Sequence, residues 1–450
     1  MFKLPVRSRI KKAETLEDML NAFSPEPLRE DELGDFYTDT IATRTGHPTS
    51  SPVRKLFKAC TQPGGATAHL FLGHMGCGKS TELRKLKQQF EAAGHSVCMI
   101  DTSIHTDPFQ TDCWSLMMLI TEGLCDIARQ REIKIPDAAL AIIEDILIRD
   151  IEVVEVSSSS AALKAEAGAE AKTPSILNNI LNLFVTLKGD WKVSEDKRTV
   201  VKERMKKKAA EWLRLTNEFF MHIIEQCEGK QPIIIFDGLD RIPQPEKIFS
   251  ILNFTPLAEM PFPVIYTFPI SQCYAPEFAT LAMYTTHRLP MIKVKNLDKT
   301  DNIEGIEAIE KIVESRARLT LFDTGVLRLL IQKTGGSLRH LFRCINDAAQ
   351  RAEWRELSKI ETEDAALSLA ELRMDLTYLI SGSDYAHLRT ICEGETSKLG
   401  IDNLSFLLKM TQASAVLEYA NGERWHNVHP LVVDFLENLE KRKAKNANAE

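Results

Sequence analysis

Two short stretches carry the residue types and spacing that could do chemistry. "GHMGCGKS", residues 73–80, fits GxxxxGK[ST], a loop whose backbone N–H groups wrap around phosphate. Gly73, Gly76 and Gly78 permit the turns that aim those groups inward. Lys79 supplies a mobile cation for β and γ oxygens, and Ser80 offers a hydroxyl to Mg²⁺. His74 and Cys77 fill the positions between the glycines, and Thr81 follows the loop. All three are counted with the ATP-binding set, although Cys77 also admits a reading as a catalytic thiol. The second stretch, "PIIIFDGLD" (232–240), ends an apolar run in Asp237, placed to share Mg²⁺ with Ser80. The next position, where many ATP-hydrolysing motors have an acid that polarises the attacking water, is Gly238. Asp240 is its nearest replacement. The chemistry implied is binding of Mg·ATP with slow hydrolysis.

Those residues need a frame. "AHLFL" (68–72) has strand length, and "STELRKLKQQF" has helical spacing of Leu83, Leu86 and Phe90. "HSVCMIDTS" (95–103), "PVIYTFPIS" (263–271) and "HRLPMIKV" (287–294) read as further strands alternating with helices. This predicts an α/β fold: a P-loop NTPase with a parallel sheet sandwiched by helices, then a helical lid and a winged-helix domain. Thr267, at the end of the fourth strand, either senses the γ-phosphate or satisfies its hydroxyl on nearby backbone. In "TGGSLRHL" (334–341) two glycines break the chain and a helix starts near Ser337, with Arg339 on its first turn. Near the C-terminus, "AVLEYANGERWHNV" (415–428) alternates around Asn421-Gly422, a hairpin signal, and "VHPLVVDFLENL" follows. Expected bounds are an arm over 1–50, a core over 51–297, a lid over 298–380, a winged helix over 381–441 and a basic tail over 442–450. A helical, basic insertion is expected near 130–215, because Lys79 and Asp237 lie too far apart for adjacent strand–helix units. The arm is expected to pack on the core.

A small residue after the Mg²⁺ acid, then hydrophobic-Asp, resembles the corresponding motif of the STAND signalling NTPases. Their usual acidic pair is Asp240-Arg241 here. The "TGGSLRHL" segment resembles the lid motif of AAA+ and STAND proteins, which implies a nucleotide-sensing role for Arg339. "VHP" resembles the segment whose histidine touches the β-phosphate of ADP, which implies that role for His429. The resemblance implies a switch between an ADP-closed form and an ATP-open, oligomeric one. It also implies a separate protein partner, since no repeat of 20–50 residues is present to act as a sensor. The alternative is a DNA-binding AAA+ ATPase of the initiator or transposition-helper type, which also joins such a core to a winged helix.

Composition narrows the field. Among 450 residues the net charge is -7, so any attraction to nucleic acid must be local. A basic segment, "DKRTVVKERMKKKAAEW", with Arg198 and Arg204, reads first as a solvated face. Nine cysteines without CxxC spacing fit reduced thiols and a cytoplasmic location. No apolar run reaches membrane-spanning length, so no membrane partner is expected.

Overall fold

The computed structural model describes residues 8–102, 111–134, 206–207, 209–227, 229–394 and 403–447. Most of the expected insertion, including Arg198 and Arg204, lies outside the described residues. Five strands form one sheet: β1 (Ala68–Gly73), β2 (Val97–Asp101), β3 (Ile233–Asp237), β4 (Val264–Pro269) and β5 (Thr285–Arg288). All neighbours run parallel, in the order β2-β3-β4-β1-β5. Side chains alternate between two dry faces. Leu70, Leu72, Ile234, Phe236, Val264 and Tyr266 enter one apolar cluster; Phe71, Ile233, Ile235 and Ile265 enter another. A strand buried on both faces reads as a continuous apolar run, and "PIIIF" is one.

Helices of eight residues or more cover both faces. α1 (Pro52–Thr61) and α2 (Lys79–Ala92) pack on the face of Phe71. α3 (Cys113–Gln130) and α4 (Ala209–Gln226) pack on the face of Leu70. This is a P-loop NTPase fold. Four lid helices follow: α5 (Ile303–Arg316), α6 (Val326–Lys333), α7 (Leu338–Trp354) and α8 (Thr362–Thr377). The C-terminal part holds α9 (Tyr385–Cys392), α10 (Leu404–Gln412), the hairpin β6 (Val416–Asn421) and β7 (Glu423–Val428), and α11 (Pro430–Ala447). The hairpin turns at Gly422, as its Asn-Gly signal predicts.

Two expectations need correction. The fifth strand, expected over 287–294, lies at Thr285–Arg288 instead. The chain beyond it leaves the sheet because its polar groups go elsewhere: Met291 N–H donates to Glu418 O at 3.2 Å, and Lys293 Nζ to Ala420 O at 2.8 Å. The arm, expected on the core, also belongs to the lid. Ala13 pairs with Ala317, and Met19 and Phe23 enter the lid's apolar cluster.

Candidate functional site

The loop from β1 to α2 meets the C-terminal ends of β3 and β4, where ligands of open parallel sheets bind. Gly76 has φ +81°, and a Cβ there would lie 2.4 Å from the Cβ of Arg339. Only glycine lets the first turn of α7 press so closely on the loop. Ser337 caps that turn by accepting from His340 N–H at 3.4 Å, so the helix starts where the sequence predicts.

Lys79 Nζ donates to Gly73 O at 2.8 Å and His74 O at 2.9 Å, and pairs with Asp240 Oδ2 at 2.8 Å. These use all three ammonium hydrogens, so a phosphate oxygen would take over one of them. Both partners are nearly inaccessible. Burial alone would neutralise each; their mutual charge overrides it, raising the Lys79 pKa and holding the Asp240 carboxyl below its usual range.

Asp240 reaches Lys79 because of Gly238. That residue takes φ +95°, a left-handed turn leading into a single 3₁₀ turn, Leu239–Arg241. Thr267 fixes the turn: its Oγ1 accepts from Leu239 N–H at 3.0 Å. Its hydroxyl thus bonds backbone and does not line the cavity. Gly238 is therefore the pivot that aims Asp240.

Ser80 Oγ donates to Asp237 Oδ1 at 2.9 Å, and the carboxylate's Oδ2 is buried with no hydrogen-bond partner. Burial and the nearby Asp240 raise the Asp237 pKa. A buried, under-partnered carboxylate beside a hydroxyl fits a hard divalent cation, so Ser80 and Asp237 would hold Mg²⁺.

The cavity over the loop has two halves. Gly76, Gly78, Lys79, Ser80, Thr81, Asp240, Arg241 and Arg339 line the polar half. Pro25, Pro27, Leu28, Tyr37, Ile312 and Phe342, from the arm and lid, line an apolar half of a kind that takes a base and sugar. Five basic side chains against three acids line the whole, a balance that suits a polyanion. Arg339 Nε is buried without a partner; burial first, then the neighbouring Arg241, lowers its pKa.

The remaining expected residues sit around the cavity. Gly73 ends β1, and Cys77 is buried, its carbonyl accepting from Arg44 at 2.7 Å. His74 faces away: its Nε2 accepts from Glu418 N–H of the hairpin at 2.8 Å. His429 is fully buried, its Nε2 3.3 Å from His340 Nδ1, and it does not line the cavity. Sequence reasoning missed Arg44, which clamps Cys77 O and Pro290 O, and Tyr37, whose hydroxyl donates to Glu82 at 3.1 Å. Neither stands in a pattern that marks it.

No known family model matches the chain, and no curated protein matches its sequence. Solved structures do resemble it. The Orc1 protein of Aeropyrum pernix, solved in complex with DNA, is 13% identical over 93% of this chain and 95% of its own, with a TM-score of 0.39. Cdc6p of Pyrobaculum aerophilum is 12% identical over 94% and 98%, with a TM-score of 0.38. The RuvB branch-migration motor of Thermotoga maritima is 11% identical over 86% and 92%, with a TM-score of 0.32. At such identities and scores these likenesses carry nothing about ligand, activity or partner.

Proposed function

We propose that the chain is an AAA+-type ATPase that works as an ATP-dependent conformational switch. The observation that carries this reading is the pairing of Lys79 with Asp240 beside the Ser80–Asp237 bond, under a cavity walled by core, arm and lid together. A triphosphate bound there touches three parts of the chain at once, so its loss or hydrolysis changes how they are held. Mg²⁺ on Ser80 and Asp237 would neutralise charge on the β and γ oxygens. Asp240 would accept a proton from, or orient, the attacking water once phosphate draws Lys79 away. Arg339 would place its charge over the phosphates from the lid. A single acid two positions late suits slow turnover, since each tenfold in rate is only about 1.4 kcal/mol.

For the output of the switch, the geometry gives the STAND-type ADP clamp no contact, because His429 bonds His340 behind the loop. The initiator-type reading gains a specific observation. Lys55 of α1 and Arg424 of β7 are exposed and line one shallow depression with Arg288, and Arg54 and Lys58 are further exposed cations of α1. Lys409, the only cation that α10 offers, is instead paired with Asp384 at 2.7 Å. We therefore favour duplex DNA, held by its phosphates across α1 and a winged-helix hairpin, over a signalling partner. Assembly into a homo-oligomer belongs to this reading too.

Two measurements test it. Titration with Mg·ATP and with ADP should show binding to the wild type; an empty site at millimolar nucleotide defeats the proposal. Duplex binding should weaken with salt, and the double variant Lys55→Glu, Arg424→Glu should lower the log–log salt slope by about 2. Salt-independent binding, or none, would remove DNA. A nucleotide-dependent change of assembly size with a protein partner would then restore the signalling alternative.

A further inference from the structure

The residue after Asp240 occupies ground that the metal needs. Arg241 NH2 donates to Ser80 Oγ at 3.0 Å, while the same oxygen donates to Asp237 Oδ1 at 2.9 Å. Its guanidinium thus stands at one of the two atoms that would hold Mg²⁺. Its positive charge acts on Asp237 and Asp240 alike, opposing the burial that drives each toward its neutral form. Its position is built in. Arg241 N–H donates to Gly238 O at 3.0 Å, and the 3₁₀ turn is pinned by Thr267. The same left-handed pivot that aims Asp240 at Lys79 aims Arg241 at Ser80. Arg339 shares the cavity, with its Nε buried and without a hydrogen-bond partner.

We infer that Arg241 is a resident cation of the metal site: it neutralises the acid pair and takes a share of the phosphate charge, so that nucleotide binds without obligatory Mg²⁺. Arginine suits this task because it stays charged at any working pH and presents a planar fork of donors to phosphate or carboxylate. Mg²⁺, to reach Ser80, displaces that fork. Metal then sets hydrolysis more than affinity, and Arg241 is a specificity-determining residue for the metal-bound against the metal-free nucleotide. This inference rests on the nucleotide-binding reading above.

The test is equilibrium binding of a fluorescent ATP analogue to the full chain, in excess Mg²⁺ and in excess EDTA. Wild type should differ by less than about threefold between the two, whereas Arg241→Gln should bind at least about tenfold more weakly in EDTA. Titration of Mg²⁺ alone, followed calorimetrically, should show tighter binding to Arg241→Gln than to wild type. Arg241→Lys, which keeps the charge and loses the fork, should fall between the two; it replaces Arg241→Gln if melting shows that variant unfolded. A wild type that loses about tenfold in EDTA overturns the inference and leaves nucleotide binding standing. So does a folded Arg241→Gln with no metal dependence. Wild type that binds the analogue in neither condition overturns both.

Discussion

On the cavity side of the loop between β1 and α2, Lys79 and Asp240 keep their charges although both are almost fully enclosed. On its other side, His74 and His429 are enclosed at least as deeply, His340 somewhat less, and all three are driven to the neutral form. Burial lowers His74 to about 3 and His340 to about 4, with Lys79 adding to the first and Arg339 to the second. His429 is pushed well below its usual range by the same cause. The dryness is similar; the partner decides. A buried ion survives where an opposite ion meets it at 2.8 Å, and an imidazole that no carboxylate pairs with does not, the pull of Asp375 on His340 being outweighed by burial. One loop therefore presents a charged face to ligand and an uncharged face to the hairpin and lid.

The sharpest way to break this contrast is at the ion pair. Lys79→Ala should abolish nucleotide binding and, by stranding Asp240, cost about 3–5 kcal/mol of stability, read by denaturant unfolding. Adding Asp240→Asn should recover part of that stability and none of the binding. Asp240→Asn alone should bind ATP and hydrolyse it at least tenfold more slowly, about 1.4 kcal/mol of barrier. Unchanged turnover would take Asp240 out of the chemistry.

The pivot comes next. Gly238→Ala should cost about 1–2 kcal/mol, because φ +95° disfavours any side chain, and should slow hydrolysis by misaiming Asp240. A variant as stable and as active as wild type would mean that the turn does not position the acid.

The uncharged face should show itself in pH. A histidine whose folded pKa lies below the free value of 6.5 binds fewer protons than the unfolded chain between those two values. Its contribution is complete above about 6.5 and falls as pH drops toward about 4 for His340, by up to about 1.4 kcal/mol per unit. His340→Gln should flatten the melting-temperature profile in that window, and an unaltered slope would place the titration elsewhere. The smallest effect is expected at His429. His429→Gln should change ADP affinity by less than about threefold. A loss above tenfold would show that this face touches nucleotide after all.

Much of the site was legible because phosphate chemistry demands local residue order. Gly73 to Ser80, Asp237 at the end of an apolar strand, and the helix start at Ser337 all follow from short-range rules. What escaped was set by distant partners. Nothing around Arg44 announces that it will clamp Cys77 O and Pro290 O. "LPMIKV" has strand composition, yet only Leu289 N–H still bonds the sheet, at Leu72 O, before Met291 N–H turns to the hairpin at Glu418 O. His429 sits in a segment that resembles a nucleotide clamp, and only packing shows its ring turned to His340. Among the described residues no helix is long and apolar enough to cross a membrane.

The arm's place in the cavity wall has a consequence for synthesis. Arg316 donates to Ala22 O across 294 positions of sequence, and Tyr37 reaches Glu82 on the other flank. The ribosome must therefore have finished the first lid helix before the opening residues can settle. A nascent chain released early would carry the whole glycine-rich loop and still lack the lid wall of the cavity above it.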